Sequence, residues 1–358
     1  MASRPRFTGL RYIIGAVFFV FGIVFYLSPQ RHSSPSNVEQ VTNAKIAIVT
    51  VLRKMADRDN YTTAMTSMEC YSKRYNYKYI VVDSDMYKNV CKQELVVFQR
   101  HCIVATLLSI RDIDWILMID ADIGVVNEKR RIEEFIDWDK DIIFYERFFN
   151  FEVTAGTYLA KNSEAARIFL QGWAEYEDKL PASFHGKDQG ALHAWLMQTL
   201  APESKLYDKC LDFWIRSKNY DDLSKFTLCC REAMNSAGPN TVLILKEGKG
   251  WCRDAWLTNS HWNPEIDFMF HAWKEVYKLT YKKEDIGKLS GGEFYPWFET
   301  LKVSLKRSQC PKDSADVDWI HDKNLIAPVS DLQAHLNRSS SGASSASSKY
   351  ILKHTRFV

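Results

Sequence analysis

Five apolar residues, Trp115-Ile116-Leu117-Met118-Ile119, run without a break into Asp120-Ala121-Asp122. A short continuous apolar run of this kind reads as a strand buried on both faces. Two carboxylates one residue apart at the end of such a strand repel each other, and burying either one unpaired costs several kcal/mol, roughly. A hard divalent cation removes that penalty, because oxygen ligands suit Mg²⁺ and Mn²⁺. Ligands of open α/β sheets sit outside the carboxyl ends of the strands. The pattern therefore points to a metal held against a diphosphate, with a solvated turn and a helix cap at Asp122 as the plainer alternative.

The segments around this strand set the fold class. Residues 45–51 read as a first buried strand and residues 79–82 as a second. Between them Tyr61, Ala64, Met65, Met68, Tyr71 and Tyr75 recur at helical spacing, and Leu95, Phe98, Cys102, Ala105 and Leu108 do so before Trp115. Strand, helix, strand, helix, strand predicts an α/β domain with a mostly parallel sheet flanked by helices. Further strands are expected at 141–145, 154–159 and 241–245, and helices from Ser163, as N-cap, and from Lys187 to Leu200. Beyond residue 245 the chain is Trp-rich and irregular. There is no GxGxxG after the first strand, no GxxxxGK[ST] and no GxSxG, which argues against a dinucleotide fold, a P-loop ATPase and an α/β-hydrolase.

The two ends have different compositions. Residues 12–27 are almost wholly apolar and follow Arg4, Arg6 and Arg11. They predict a transmembrane signal anchor with a cytosolic tail at 1–11, the rest of the chain being luminal by the positive-inside rule. A cleaved signal peptide is the rival. Residues 28–44 read as a polar stem, 45–325 as one catalytic domain, and 326–358 as a Ser-rich tail, largely disordered. All eight cysteines follow the anchor, which permits disulfides of unreadable pairing. No CxxC suggests a structural zinc. Sequons begin at Asn60 and Asn337. The net charge of +3 gives no case for nucleic acid.

The segments Phe98 to Cys102, Ile119 to Asn127, Phe184 to Ala191 and Phe268 to Lys274 carry a resemblance. Together with the anchor and stem, they make the chain resemble a Golgi glycosyltransferase of the GT-A fold. More closely, residues 45–274 resemble a family expanded in nematodes within the nucleotide-diphospho-sugar transferase superfamily. More distantly the chain is similar to the galactosyl-, mannosyl- and xylosyltransferases of glycosyltransferase family 34. Those share the order Asp-Ala-Asp, Asp-Gln-x-Ala and a late His among aromatics, retain configuration, and use a sugar nucleotide with Mn²⁺. Here the late His lies in His271-Ala272-Trp273-Lys274, without the usual Gly, so His261 stays open as the rival.

The resemblance implies a Golgi type II enzyme. It would move a hexose or pentose from a UDP- or GDP-sugar to a glycan acceptor, Mn²⁺- or Mg²⁺-dependent and retaining. Asp122 is the expected direct metal ligand, Asp120 a bridge between metal and ribose, and His271 a third ligand. Lys274 is expected at the β-phosphate and Arg100 at the diphosphate, each with an ordinary surface role as its alternative. Thr50 and Arg53, at the end of the first strand, would face the base. Asp188 is expected on donor hydroxyls and Gln189 near the anomeric carbon, where its carbonyl dipole stabilises developing positive charge; both also suit a helix cap. Gly156 suits either a close backbone approach or a bulge. Trp251, Trp256, Trp262 and Trp273 offer sugar-stacking faces or, more commonly, core. A catalytically silent luminal glycan-binding protein is the alternative function.

Overall fold

A computed structural model describes residues 44–110, 112–235, 237–279, 296–310 and 319–340 of the 358-residue chain. The expected cytosolic tail, the anchor and residues 28–43 of the stem lie outside the described residues. Among the described residues no helix is long and apolar enough to cross a membrane.

The expected strands assemble into one six-stranded sheet. Its strands are β1 (Ile46–Leu52), β2 (Lys78–Asp83), β3 (Trp115–Ile119), β5 (Ile142–Tyr145), β6 (Thr157–Lys161) and β7 (Val242–Leu245), in the order β2-β1-β3-β6-β5-β7. The β2–β1, β1–β3 and β5–β7 pairs are parallel, and β6 runs antiparallel between β3 and β5. The sheet is thus mostly parallel with one reversed strand. That reversal brings residues 154–156, which lead into β6, to the same edge as the carboxyl ends of β1, β3, β5 and β7.

Alternation along the strands divides the core in two. Ala47, Val49, Ile116, Met118, Ile142 and Phe144 face one cluster, formed with helices α2 (Val96–Leu107), α3 (Glu164–Ala174), α4 (Lys187–Leu200) and α6 (Tyr220–Met234). Ile46, Ile48, Trp115, Leu117, Ile119 and Ile143 face the other, with Met68, Cys70 and Tyr71 of α1 (Thr62–Arg74). Burial on both faces is why these strands are apolar throughout. Ser163 caps α3 as expected, accepting from the Ala166 N–H. Helices α5 (Tyr207–Ile215) and α6 add to the expected pattern; Asn219 caps α6 through the Asp222 N–H.

The Trp-rich region is more ordered than its composition suggests. β4 (Gly124–Val125), β9 (Met269–His271) and β8 (Cys252–Asp254) form a second, three-stranded sheet. Trp251, Trp262 and Trp273 are fully buried, so they are core and present no face to a sugar. Trp256 is half-buried and meets Phe149 edge-on. The tail expected to be disordered from 326 is structured further: residues 329–340 are helical, and Leu332 and Leu336, one turn apart, are buried. The apolar i, i+4 pair outweighs the Ser-rich composition that follows it. Residues 341–358 lie outside the described residues. Three disulfides join Cys70 to Cys310, Cys91 to Cys102 and Cys210 to Cys229, while Cys230 and Cys252 are free thiols in the core.

Candidate functional site

β3 ends in a tight turn. The Asp120 N–H donates to the Gly156 carbonyl at 2.8 Å, and the Ile123 N–H donates back to the Asp120 carbonyl at 3.0 Å. The chain then enters β4, whose Gly124 pairs with Phe270 of β9. This crossing from the large sheet to the small one lays Asp122 beside His271. Two glycines permit it. A Cβ on Gly124 would lie 2.3 Å from the Trp273 ring, and a Cβ on Gly156 would lie 2.6 Å from Asp120 Oδ2. Gly156 therefore makes room for the Asp120 carboxylate, which is its close approach. Ala272 stands at φ 76°, a left-handed conformation costly for an L-residue. It turns the chain so that the Trp273 N–H donates to the Asp122 carbonyl at 2.9 Å.

Asp120, Asp122 and His271 each direct a potential ligand atom to one place, all within 4.8 Å of one another. His271 Nε2 lies 3.4 Å from Asp122 Oδ1, and its Nδ1 lies 2.8 Å from Asp254 Oδ1. Asp254 is the register partner of His271 across the β8–β9 pair and is bound by Arg147 Nη2 at 2.7 Å. A carboxylate on Nδ1 fixes the tautomer that leaves Nε2 as a metal donor. Two carboxylates and an imidazole suit a divalent cation. His261, the rival ligand, is elsewhere: it is buried with Nδ1 at 3.0 Å from the Thr258 carbonyl. Lys274 Nζ stands 3.8 Å from Asp122 Oδ2.

The charges respond to this crowding. Burial pushes the Asp120 carboxyl up, and the Asp122 charge adds to it against the pull of Arg100. Burial also acts on Asp122, but His271 and Lys274 outweigh it and hold this carboxyl below its usual range. Burial lowers His271, yet Asp122 and Asp254 overcome it and lift the imidazole to about 10.

A second network supports Asp120 from behind. Arg100, on α2, binds Asp120 Oδ1 through Nη1, Asp188 Oδ2 through Nη2 at 2.6 Å, and the Ala155 carbonyl at 3.1 Å. Removing one partner of a buried pair costs about 3–5 kcal/mol. Arg100 is therefore held between two carboxylates, directly beside the candidate metal site. Asp188 is buried in the same clamp, with His101 Nε2 at 3.7 Å. It meets the site through Arg100. His101 stacks on Trp173 with 3.4 Å between ring centres, and burial pushes it down to about 3. The Gln189 amide is committed at both ends, donating to the Val153 carbonyl and accepting from the Ala155 N–H at 3.0 Å. These bonds shape the loop that carries Gly156.

Thr50 and Arg53 stand on the β1 end of the same edge. Thr50 is fully buried, its hydroxyl 3.4 Å from Tyr79 Oη, and exposed Arg53 follows the strand. Three residues at the site had no readable signal. Asp254 and Arg147 lie in segments too short for periodicity, and Tyr61 reads only as part of a helix face. Burial raises the Tyr61 hydroxyl, and the charge of Asp122 raises it further.

Residues 68–287, which span β3, the clamp and the small sheet, match a family described as a protein of unknown function, DUF273. The chain belongs to the DUF273 family. No curated protein matches it. Among solved structures, this DUF273 chain is similar to a glycosyltransferase involved in the glycosylation of the major capsid of PBCV-1, at 14% identity and TM-score 0.30, over 38% of this chain and 68% of that one. It is also similar to the apo-form glycosyltransferase GlyE of Streptococcus pneumoniae TIGR4, at 16% identity and TM-score 0.29, over 43% and 44%, and to A197 from STIV, at 11% identity and TM-score 0.22, over 36% and 67%.

Proposed function

We propose that the chain is a metal-dependent glycosyltransferase. It moves a hexose or pentose, with retention, from a UDP- or GDP-sugar to a glycan acceptor. The observation that carries this reading is the convergence of Asp120, Asp122 and His271 at the carboxyl edge of a mostly parallel sheet, with Asp254 fixing the imidazole. The residues fit a cation by donor type and by the space that Gly156 leaves at Asp120. When bound, a divalent cation neutralises the diphosphate leaving group.

The chain's own residues do the rest by positioning. Asp120, Asp122 and His271 would hold the cation that meets the donor's diphosphate, and Lys274, beside Asp122, adds a point charge for the β-phosphate. Asp120, held by Arg100, reaches toward the ribose. The base rests on the β1 side, at Thr50 and Arg53. In the transfer, the bond from the anomeric carbon to the β-phosphate oxygen breaks, and a bond to an acceptor hydroxyl oxygen forms. The hydroxyl proton leaves with the diphosphate. Retention and a Golgi membrane location, type II through residues 12–27, follow from the resemblance and from the Arg-flanked apolar segment.

The test is thermal stabilisation of the protein by UDP- and GDP-sugars, with and without Mn²⁺. A ligand well above its Kd should raise stability by about 3 kcal/mol. A Mn²⁺-dependent shift with one nucleotide is expected, and product NMR then reads the anomeric configuration. Folded protein that responds to no nucleotide would sink the transferase and leave the glycan-binding alternative.

A further inference from the structure

The edge of the sheet carries more than the metal site. A cavity of about 430 Å³ is lined by His271 and by residues that follow β5 and β7, at the far end of the sheet order from the β1 strand of Thr50. Its wall comes from residues 145–148 after β5, residues 247–254 after β7 and through β8, and the helix at 329–340. His271 and Thr154 form its inner side. Thr154 Oγ1 lies 3.8 Å from the Cβ position of Gly156, the residue that touches Asp120. The cavity thus abuts the candidate metal site.

Its chemistry narrows the occupant. The volume suits a small ligand. Arg147 is paired with Asp254 and Glu152, Arg253 with Asp267, and Glu146 with Arg231 and Lys246. Charges already neutralised in this way do not select a charged ligand, and the remaining two, Glu247 and Lys249, are opposite in sign. Glu247 Oε1 accepts from Ser340, while Oε2 has no hydrogen-bond partner among the described residues. An acceptor without a donor is costly, and a ligand hydroxyl that a turn of this side chain brings within reach removes the cost. Gln333 and Asn337, on the helix, add amides that can both donate and accept. We propose that this cavity is the acceptor subsite, taking a neutral, hydroxyl-rich sugar unit of the glycan and holding it against the His271 side of the metal site.

The inference rests on the proposed transfer and adds where specificity resides. The family match ends at residue 287, whereas Gln333, Leu336 and Asn337 come from beyond it. Specificity is thereby placed on this helix, whose Gln333 and Asn337 are exposed at the cavity.

The experiment is ligand-observed NMR on the full chain with Mn²⁺ and nucleotide present. The probes are the methyl glycosides of glucose, galactose, mannose and xylose. At least one should bind. Gln333→Trp, which fills the mouth from an exposed helix position, and Glu247→Gln, which keeps the shape, should each weaken it roughly tenfold or more. Nucleotide binding read in the same samples reports separately on the metal site. The inference falls if nucleotide binds and no methyl glycoside does, or if neither substitution weakens the glycoside. A glycoside that binds with this sensitivity while no nucleotide binds keeps the cavity as a sugar site and sinks the transfer.

Discussion

Asp120 and Asp122 stand at the end of a five-residue strand paired on both sides, whereas His271 ends a strand of three residues in a small sheet. The first region is held by apolar burial: every residue of β3 is buried, in two cores. The second is held by polar contacts and close backbone approach. His271 depends on Asp254, Asp254 on Arg147, and the turn at Ala272 on the space left by Gly124. Apolar burial spreads its energy over many contacts, while an ion-pair chain concentrates it in a few groups. The imidazole side should thus fail through single polar changes that leave the sheet untouched.

The most severe test removes a ligand from the apolar-held side. Asp122→Ala should reduce Mn²⁺-dependent nucleotide binding by upward of ~100-fold in a protein that still folds, with a lowered melting temperature because His271 loses a buried partner; equally tight UDP or GDP binding would make the metal assignment wrong. Asp254→Asn tests the polar side without touching a ligand. It should cost about 10–100-fold in Mn²⁺ affinity, read by calorimetry, because the imidazole loses its fixed tautomer. If affinity were unchanged, the dependence of His271 on Asp254 would be refuted. Gly156→Ala should weaken Mn²⁺ roughly tenfold, less than Asp254→Asn, since the new methyl displaces only one carboxylate oxygen of Asp120.

Acid sharpens the comparison from the other direction. His101 lies against Asp188, and His193 Nε2 accepts from the Val153 N–H at 3.0 Å on the loop that leads to Gly156; burial pushes the two imidazoles down to about 3 and about 4 from 6.5. Their contribution is complete above pH 6.5 and is lost as pH falls toward those values. Each should remove about 1 kcal/mol per pH unit in that window, visible in denaturant titrations at pH 6.5 and 4.5. A flat profile would mean that neither imidazole is held neutral. The smallest effect belongs to Ala272→Gly. Relief of the left-handed conformation and added unfolded-state freedom nearly cancel, so stability should change by less than about 1 kcal/mol. A larger loss would show that the Ala272 methyl packs in a way the turn alone does not require.

The same contrast explains what was legible in the sequence. β1, β3 and α4 announce themselves by apolar runs or helical spacing, and the Asp120/Asp122 pair is conspicuous because it follows such a run. β8 and β9 have three residues each, too few for any period, so Asp254 gave no sign and His261 could not be separated from His271. The Arg100–Asp188 pair spans 88 residues, and nothing local says that the arginine meets two carboxylates. Gln189 suits both chemistry and a cap by type, and its partners on the backbone of Val153 and Ala155 lie too far away in sequence to be read. In the tail, two leucines one turn apart were hidden by the serines around them.

The disulfides impose an order in time. Cys91 and Cys102 are separated by 11 residues and Cys210 and Cys229 by 19, but Cys70 and Cys310 are separated by 240. At roughly 5–20 residues per second, the local pairs emerge from the ribosome within seconds of each other, whereas Cys70 waits tens of seconds for its partner. During that interval six other cysteines pass it. Early closure of the two short loops removes four of those rivals, and burial of Cys230 and Cys252 in the core removes the other two. The last covalent bond of the domain can then form correctly only after nearly all of it has been made, so the Cys70–Cys310 bridge is a record that synthesis was completed in the right sequence.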